Sequence, residues 1–194
     1  MTLPTQDSTV ELRLASATTQ AHDAAELESV VIHLFDQTQA RLSSYVLAFG
    51  LPLHDAEDIV QETFLSLFHH LKHGRPRWNL NGWLFRVAHN LALKRRMGNQ
   101  ATLIHLDHAE HLAHHHDPAH NAEEQLAYNQ TQLRLRSAFA ALPERDQRCL
   151  QLRAEGLKYR DIAKALGISL GAVSLSLSRS LARMTNAAGG DIAR

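Results

Sequence analysis

The segment Gly156-Leu157-Lys158-Tyr159-Arg160-Asp161-Ile162-Ala163-Lys164-Ala165-Leu166-Gly167-Ile168-Ser169-Leu170-Gly171-Ala172-Val173 leaves the chain few ways to fold. Ile162, Ala163 and Leu166 recur at helical spacing, and Gly167 follows where a helix can end in a left-handed residue. Ser169 then stands where a hydroxyl can cap a second helix. That helix draws its apolar stripe from Val173, Leu177, Leu181 and Met184. Two short helices meeting over a glycine turn form a helix-turn-helix, the shape that places one helix in the major groove of DNA. The same unit also occurs in plain three-helix cores, but a basic surround favours DNA.

The distribution of charge supports that reading better than the net charge, which is zero. Residues 1–70 hold ten acids against Arg13 and Arg41. Residues 71–99 hold Lys72, Arg75, Arg77, Arg86, Lys94, Arg95 and Arg96 and no acid. Residues 100–131 are acidic again, and 132–185 are basic. Two basic modules joined by an acidic connector suit two contacts with one nucleic acid.

The periodicity is helical throughout and predicts an all-α chain of two small domains joined by a flexible linker. Residues 1–22 read as a loose tail and 23–98 as a first helical domain, with helices near 24–49, 55–71 and 81–97. Residues 99–123 are the histidine-rich, acidic linker. Residues 124–186 form the helix-turn-helix domain, with Pro143 near the first position of a helix over 144–155, and 187–194 fray as a tail. The single cysteine, Cys149, excludes a disulfide framework and a cysteine-based zinc site, and its apolar neighbours make it a small core residue. No apolar run is long enough to span a bilayer and no leader is evident, so the expectation is a soluble, cytoplasmic protein with no membrane insertion.

Two surfaces carry candidate chemistry. On a wheel of residues 55–71, Ala56, Ile59, Val60, Thr63, Phe64, Leu67 and Leu71 cluster on the core side. Asp58, Gln61, Glu62, Leu65 and His69 face the other way. A leucine centred in an acidic face suits a protein partner, and it equally suits a solvated face with one stray apolar residue. The second surface is the stretch 74–97, where Trp78, Trp83 and Phe85 interleave with bases and with Asn79 and Asn81. Aromatics among cations suit single-stranded nucleic acid, with phosphates held by Arg86, Lys94, Arg95 and Arg96. Trp83 fits the core, whereas Trp78, in a loop, fits contact with a base.

The blocks Asp55-Ala56-Glu57-Asp58-Ile59-Val60-Gln61-Glu62-Thr63-Phe64 and Trp83-Leu84-Phe85-Arg86-Val87-Ala88-His89-Asn90 resemble region 2 of the bacterial extracytoplasmic-function sigma factors. Leu142-Pro143-Glu144-Arg145 and the helix-turn-helix resemble region 4. The resemblance implies an initiation factor that binds core RNA polymerase and directs it to promoters, with no catalytic residues and no cofactor of its own. It implies that Asp55, Asp58, Gln61, Glu62 and Leu65 meet the clamp helices of the polymerase largest subunit. Arg75, Arg77, Trp78, Asn79 and Asn81 would capture a flipped base of the −10 element, with Arg86, Lys94, Arg95 and Arg96 beside them. Arg160, Ser169, Gly171, Ser174, Leu175, Ser178 and Arg179 would approach the −35 element. An anti-sigma protein is a further implied partner. The chain departs from the family in having Ser174 and Ser176 where bases are usual and Ala92-Leu93-Lys94 where an aspartate is common. With so few cations left on the helix, Arg179 is expected to hold a phosphate, and Leu175 to meet a thymine methyl.

The linker histidines His105, His108, His111, His114, His115, His116 and His120 recur at spacings of three and four. Of these, His108, His111 and His115 are weak candidates for a metal surface, and a titratable tether is the preferred reading. No His-Glu-x-x-His, phosphate loop or nucleophile–base set supports an enzyme. Two other functions stay open on the residues alone: a helix-turn-helix regulator that does not bind polymerase, and a metal-responsive binding protein.

Overall fold

A computed structural model describes residues 6–102 and 122–189, with side chains described over 25–99 and 128–189. The described residues form seven helices and no strand: α1 (Gln6–Leu47), α2 (Leu53–Lys72), α3 (Leu80–Thr102), α4 (Ala122–Ala140), α5 (Glu144–Ala154), α6 (Tyr159–Leu166) and α7 (Leu170–Ala187). The stretch expected to be a loose tail is helical from Gln6. Residues 6–22 contain neither glycine nor proline, so a helix nucleated farther along can propagate back through them. The linker histidines all lie outside the described residues.

The first three helices pack around one apolar centre. Leu42, Val46, Ile59, Leu67, Leu84 and Phe85 are fully buried there, and the rings of Phe35 and Phe64 meet edge-on at 4.9 Å. Thr63 sits in the same core because its hydroxyl donates to the Ile59 carbonyl at 2.7 Å, one turn back, which leaves no polar group unpaired. Gly50 and Pro52 end α1 and start α2: Gly50 takes a φ of 75°, and Pro52 is the N-cap. All the residues assigned by the wheel to the core side of α2 are buried.

In the second half, α5 and α7 pack together, with α6 wedged against both. Gly167 ends α6 at φ 65°, where a side chain would be strained, and Ser169 caps α7 by accepting the Ala172 N–H at 3.2 Å. The bend between α6 and α7 is 106°, within the range of helix-turn-helix units. One sequence-based expectation needs correction. Leu181 is exposed, and Ser176 and Ser180 are buried with Val173 and Leu177 instead. Residues four apart advance by 400° on a helix, so a stripe counted in fours drifts off the face that α5 covers.

The two halves touch. α6 lies along α3, so Ile162 and Ala165 join the same buried cluster as Leu84 and Ala88. Arg148 of α5 is buried with its guanidinium 3.7 Å from the centre of the Phe49 ring, and its Nη2 donates to the Ala48 carbonyl at 3.0 Å. Arg41 of α1 donates to both the carboxylate and the carbonyl of Glu155 at 2.6 Å, and Arg96 of α3 pairs with Glu144. No single described helix is long and apolar enough to cross a membrane.

Candidate functional site

The outward face of α2 is open. Asp58, Gln61, Glu62 and His69 are exposed, and Leu65 among them is 58% exposed. Asp55 does not belong with them, contrary to expectation: it is 5% exposed. Its two carboxylate oxygens accept from Arg95 at 2.5 Å and from Asn99 at 2.8 Å, which ties the start of α2 to the end of α3. A buried carboxylate must be paired in this way to be tolerated, so it serves the packing of the domain.

The turn before α3 forms a cleft of about 420 Å³. Trp78 stands at its edge, 70% exposed. Asn79 has a φ of 56° and its carbonyl starts α3 by accepting the Trp83 N–H at 3.1 Å. The Asn79 side chain folds over Gly82 so closely that a Cβ there would lie 2.6 Å from its Nδ2. Glycine at 82 is therefore what lets Asn79 lie flat against the helix. Trp83 is half-buried behind the turn, with the His70 ring 4.8 Å away. Arg75 and Arg86 also line the cleft.

The remaining expected −10 residues are dispersed. Lys94 is exposed, and Asn81 is half-buried with an Oδ1 that lacks a hydrogen-bond partner. Arg77 pairs with Glu26 at 2.8 Å, Arg95 with Asp55, and Arg96 with Glu144. Arg95 and Arg96, expected to hold phosphates, are thus engaged within the protein, as is Arg77 of the expected base-capturing loop. The Arg96 pair also holds the Glu144 carboxyl below the usual range, mainly through its hydrogen bond.

The helix-turn-helix presents the opposite picture. Arg160, Ser169, Gly171, Ser174, Leu175, Ser178 and Arg179 are all exposed. Gly171, Ser174, Leu175 and Ser178 share the side of α7 opposite Val173 and Leu177. Ser176, noted as a departure from the family, is not on that surface at all. It is buried, and its hydroxyl donates to Asp146 at 2.7 Å.

Several structural participants carry no signal in the sequence. Lys164 of α6 stands 5.7 Å over the Trp78 ring, and Asp161 joins it in closing the cleft from the other module. His89 is buried, shares a 2.8 Å hydrogen bond with the Tyr45 hydroxyl, and packs edge-on against Phe49. Burial first, then the Arg148 charge, pushes its pKa down to about 4, against the smaller opposing effect of Glu144. Among the described residues no three histidine, cysteine or acidic side chains are grouped to hold a metal.

Comparison with known proteins accounts for this arrangement. Residues 34–102 match the family model of Sigma-70 region 2, and residues 132–184 match that of Sigma-70 region 4. The ECF RNA polymerase sigma factor SigE of Mycolicibacterium smegmatis is 33% identical over 144 residues, which are 70% of this chain and 53% of that protein. The chain therefore spans about half the length of that relative. The RNA polymerase sigma factor CnrH of Cupriavidus metallidurans is 27% identical over 175 residues, covering 84% of this chain and 90% of CnrH. Among solved structures, CnrH in complex with the cytosolic domain of CnrY superposes with a TM-score of 0.53 at 23% identity, over 88% of this chain and 95% of that one. RpoE in complex with the anti-sigma factor NepR, from Bartonella quintana, gives 0.58 at 19% identity, over 86% of this chain and 98% of that one. At such identities the two structures bear on the fold alone. The two family models, in order along one chain, together with the two sigma-factor relatives, identify this protein as a member of the extracytoplasmic-function sigma factors.

Proposed function

We propose that this chain docks on core RNA polymerase through Asp58, Gln61, Glu62 and Leu65, reads a −35 element as duplex with the exposed face of α7, and stabilises the melted −10 element at the turn before α3. The observation that carries this reading is the cleft at that turn. An indole 70% exposed beside the Asn79 amide, with Arg75 and Arg86 around it, has the parts an unpaired base and its phosphates require. Stacking one base on such a ring is worth on the order of 1–3 kcal/mol, which offsets part of the unpairing it accompanies. The chain supplies binding energy and orientation, and polymerase supplies the active site and its metal.

The contacts between the halves imply an order of events. Lys164 and Asp161 line the far side of the cleft, so parting α6 from α3 would widen the room for a strand. The outward faces of α2 and α7 are open in the same arrangement. Docking on polymerase can therefore precede the opening that admits the −10 strand. The cytoplasm, where transcription takes place, is the compartment this function requires. RpoE was solved with an anti-sigma factor bound, and we extend the same kind of control to this chain.

Transcription from a genomic promoter library by core polymerase with and without this chain tests the reading. Expected are transcripts that depend on the chain and share two conserved upstream blocks. A chain that shifts duplex DNA yet neither co-purifies with core polymerase nor changes its start sites would be an ordinary helix-turn-helix regulator.

A further inference from the structure

The recognition helix is attached to α5 by an ion pair that the expectation of a phosphate contact for Arg179 did not include. Asp146 lies in the first turn of α5 and is 2% exposed. Its Oδ1 accepts from the buried Ser176 hydroxyl at 2.7 Å, and its Oδ2 lies 3.2 Å from Nη2 of Arg179, with Oδ1 at 3.5 Å. Arg145 contributes a weaker approach, Nε to Oδ1 at 3.8 Å. The Arg179 side chain is otherwise about half exposed. It therefore reaches the DNA-facing surface with one end of its fork already held by a buried group.

This arrangement suits one kind of DNA contact better than the other. A phosphate clamp works by charge, tolerates a mobile side chain, and loses value when a carboxylate compensates the cation. A base edge demands direction, and an arginine held in one rotamer gives up little further entropy when it meets the paired acceptors of guanine. We propose that Asp146 is a positioning residue for promoter recognition: it holds Arg179 for a directed contact with one guanine of the −35 element, and so sets the preference at that base pair. The inference rests on reading α7 as the −35 helix.

The test uses holoenzyme assembled from the full chain and core polymerase, selecting from promoters with a randomised −35 element at several salt concentrations. Arg179→Ala should lose discrimination by roughly tenfold or more at one base pair, with little change in salt slope. Asp146→Asn keeps an oxygen for Ser176 and should relax the same base pair. Asp146→Glu, which keeps the charge but displaces it, is a second variant expected to do likewise. The double variant D146N/R179A should be no worse at that position than R179A alone. Ser176→Ala removes the other bond to the carboxylate and should lower stability without changing preference, a result that a merely structural Asp146 would not separate from its own. A uniform loss for R179A on all sequences, with the salt slope lowered by about one, would overturn the directed contact. Discrimination retained in both D146N and D146E would overturn the role of Asp146. A wild type with no preference at any −35 position would instead refute the reading of α7 on which both stand.

Discussion

Replacing Arg148 with methionine should weaken the hold of the two halves of the molecule on each other without unfolding either. The aliphatic stem is kept, and the neighbouring core residues Cys149 and Leu152 are untouched. Of the arginine's contacts, those with Gln151 and Glu144 stay within α5, while those with Phe49 and the Ala48 carbonyl cross to the end of α1. A desolvated cation over an aromatic ring contributes about 2 kcal/mol, and a charged hydrogen bond to a carbonyl roughly 1.5–3 kcal/mol. Against these stands the desolvation of the guanidinium, the largest influence on its pKa, which burial pushes down. A net shift of about 2–3 kcal/mol toward the open arrangement corresponds to roughly 30–150-fold in the equilibrium between the two. The assay is energy transfer between dyes on cysteines introduced at the exposed positions Glu57 and Arg183, since Cys149 is buried and will not label. Transfer should drop in R148M, and affinity of the polymerase-free chain for a −10 single strand should rise by up to the same factor. Unchanged transfer and unchanged strand affinity, with an intact helical spectrum, would refute a role for this arginine in holding the two halves together.

Three further outcomes follow from the described contacts. Glu62→Lys reverses a charge on the open face of α2 and should weaken core binding while the helical spectrum is kept, by about 2–5 kcal/mol where the carboxylate is buried and paired in the complex, as measured by competition for core polymerase; unchanged affinity would remove α2 from the interface. Replacing Trp78 and Asn79 together with alanine should spare duplex binding and slow promoter melting, read as permanganate reactivity of −10 thymines; unaffected melting would assign the indole no role. His89 is buried with a pKa near 4, below its unfolded value of about 6.5, so the unfolded chain binds the extra proton first. Its contribution is whole above pH 6.5, declines as the pH falls toward 4, and amounts to about 3 kcal/mol over that window. Urea melts across this range, with His89→Gln as the control, should show that slope in the wild type and lose it in the variant.

What could be read from the sequence was local. Gly167 and Ser169 mark the end of one helix and the cap of the next because each acts on backbone groups within four residues of itself. The buried stripe of α2 follows from a 3.6-residue period and from nothing farther away. The same argument placed Glu62 and Leu65 outward, and it failed at Leu181 only where drift of the stripe met the footprint of α5. Ion-pair partners obey no such rule. The family resemblance puts Asp55 with the outward acids, and composition puts Arg95 and Arg96 with free cations, because nothing in a linear pattern tells which opposite charge will arrive beside them. Arg95 meets a residue 40 positions away and Arg41 one 114 away, across helices whose placement is decided by packing. The pairing of Lys164 with Trp78 and the grip of Asp146 on Arg179 belong to the same class. Which residues form helices and which faces turn inward is legible in the order of residues, since hydrophobic burial and capping are short-range and periodic. Which cations pair within the protein and which remain for DNA follows from the packing of the helices, since electrostatic pairing acts between whatever groups that packing brings together.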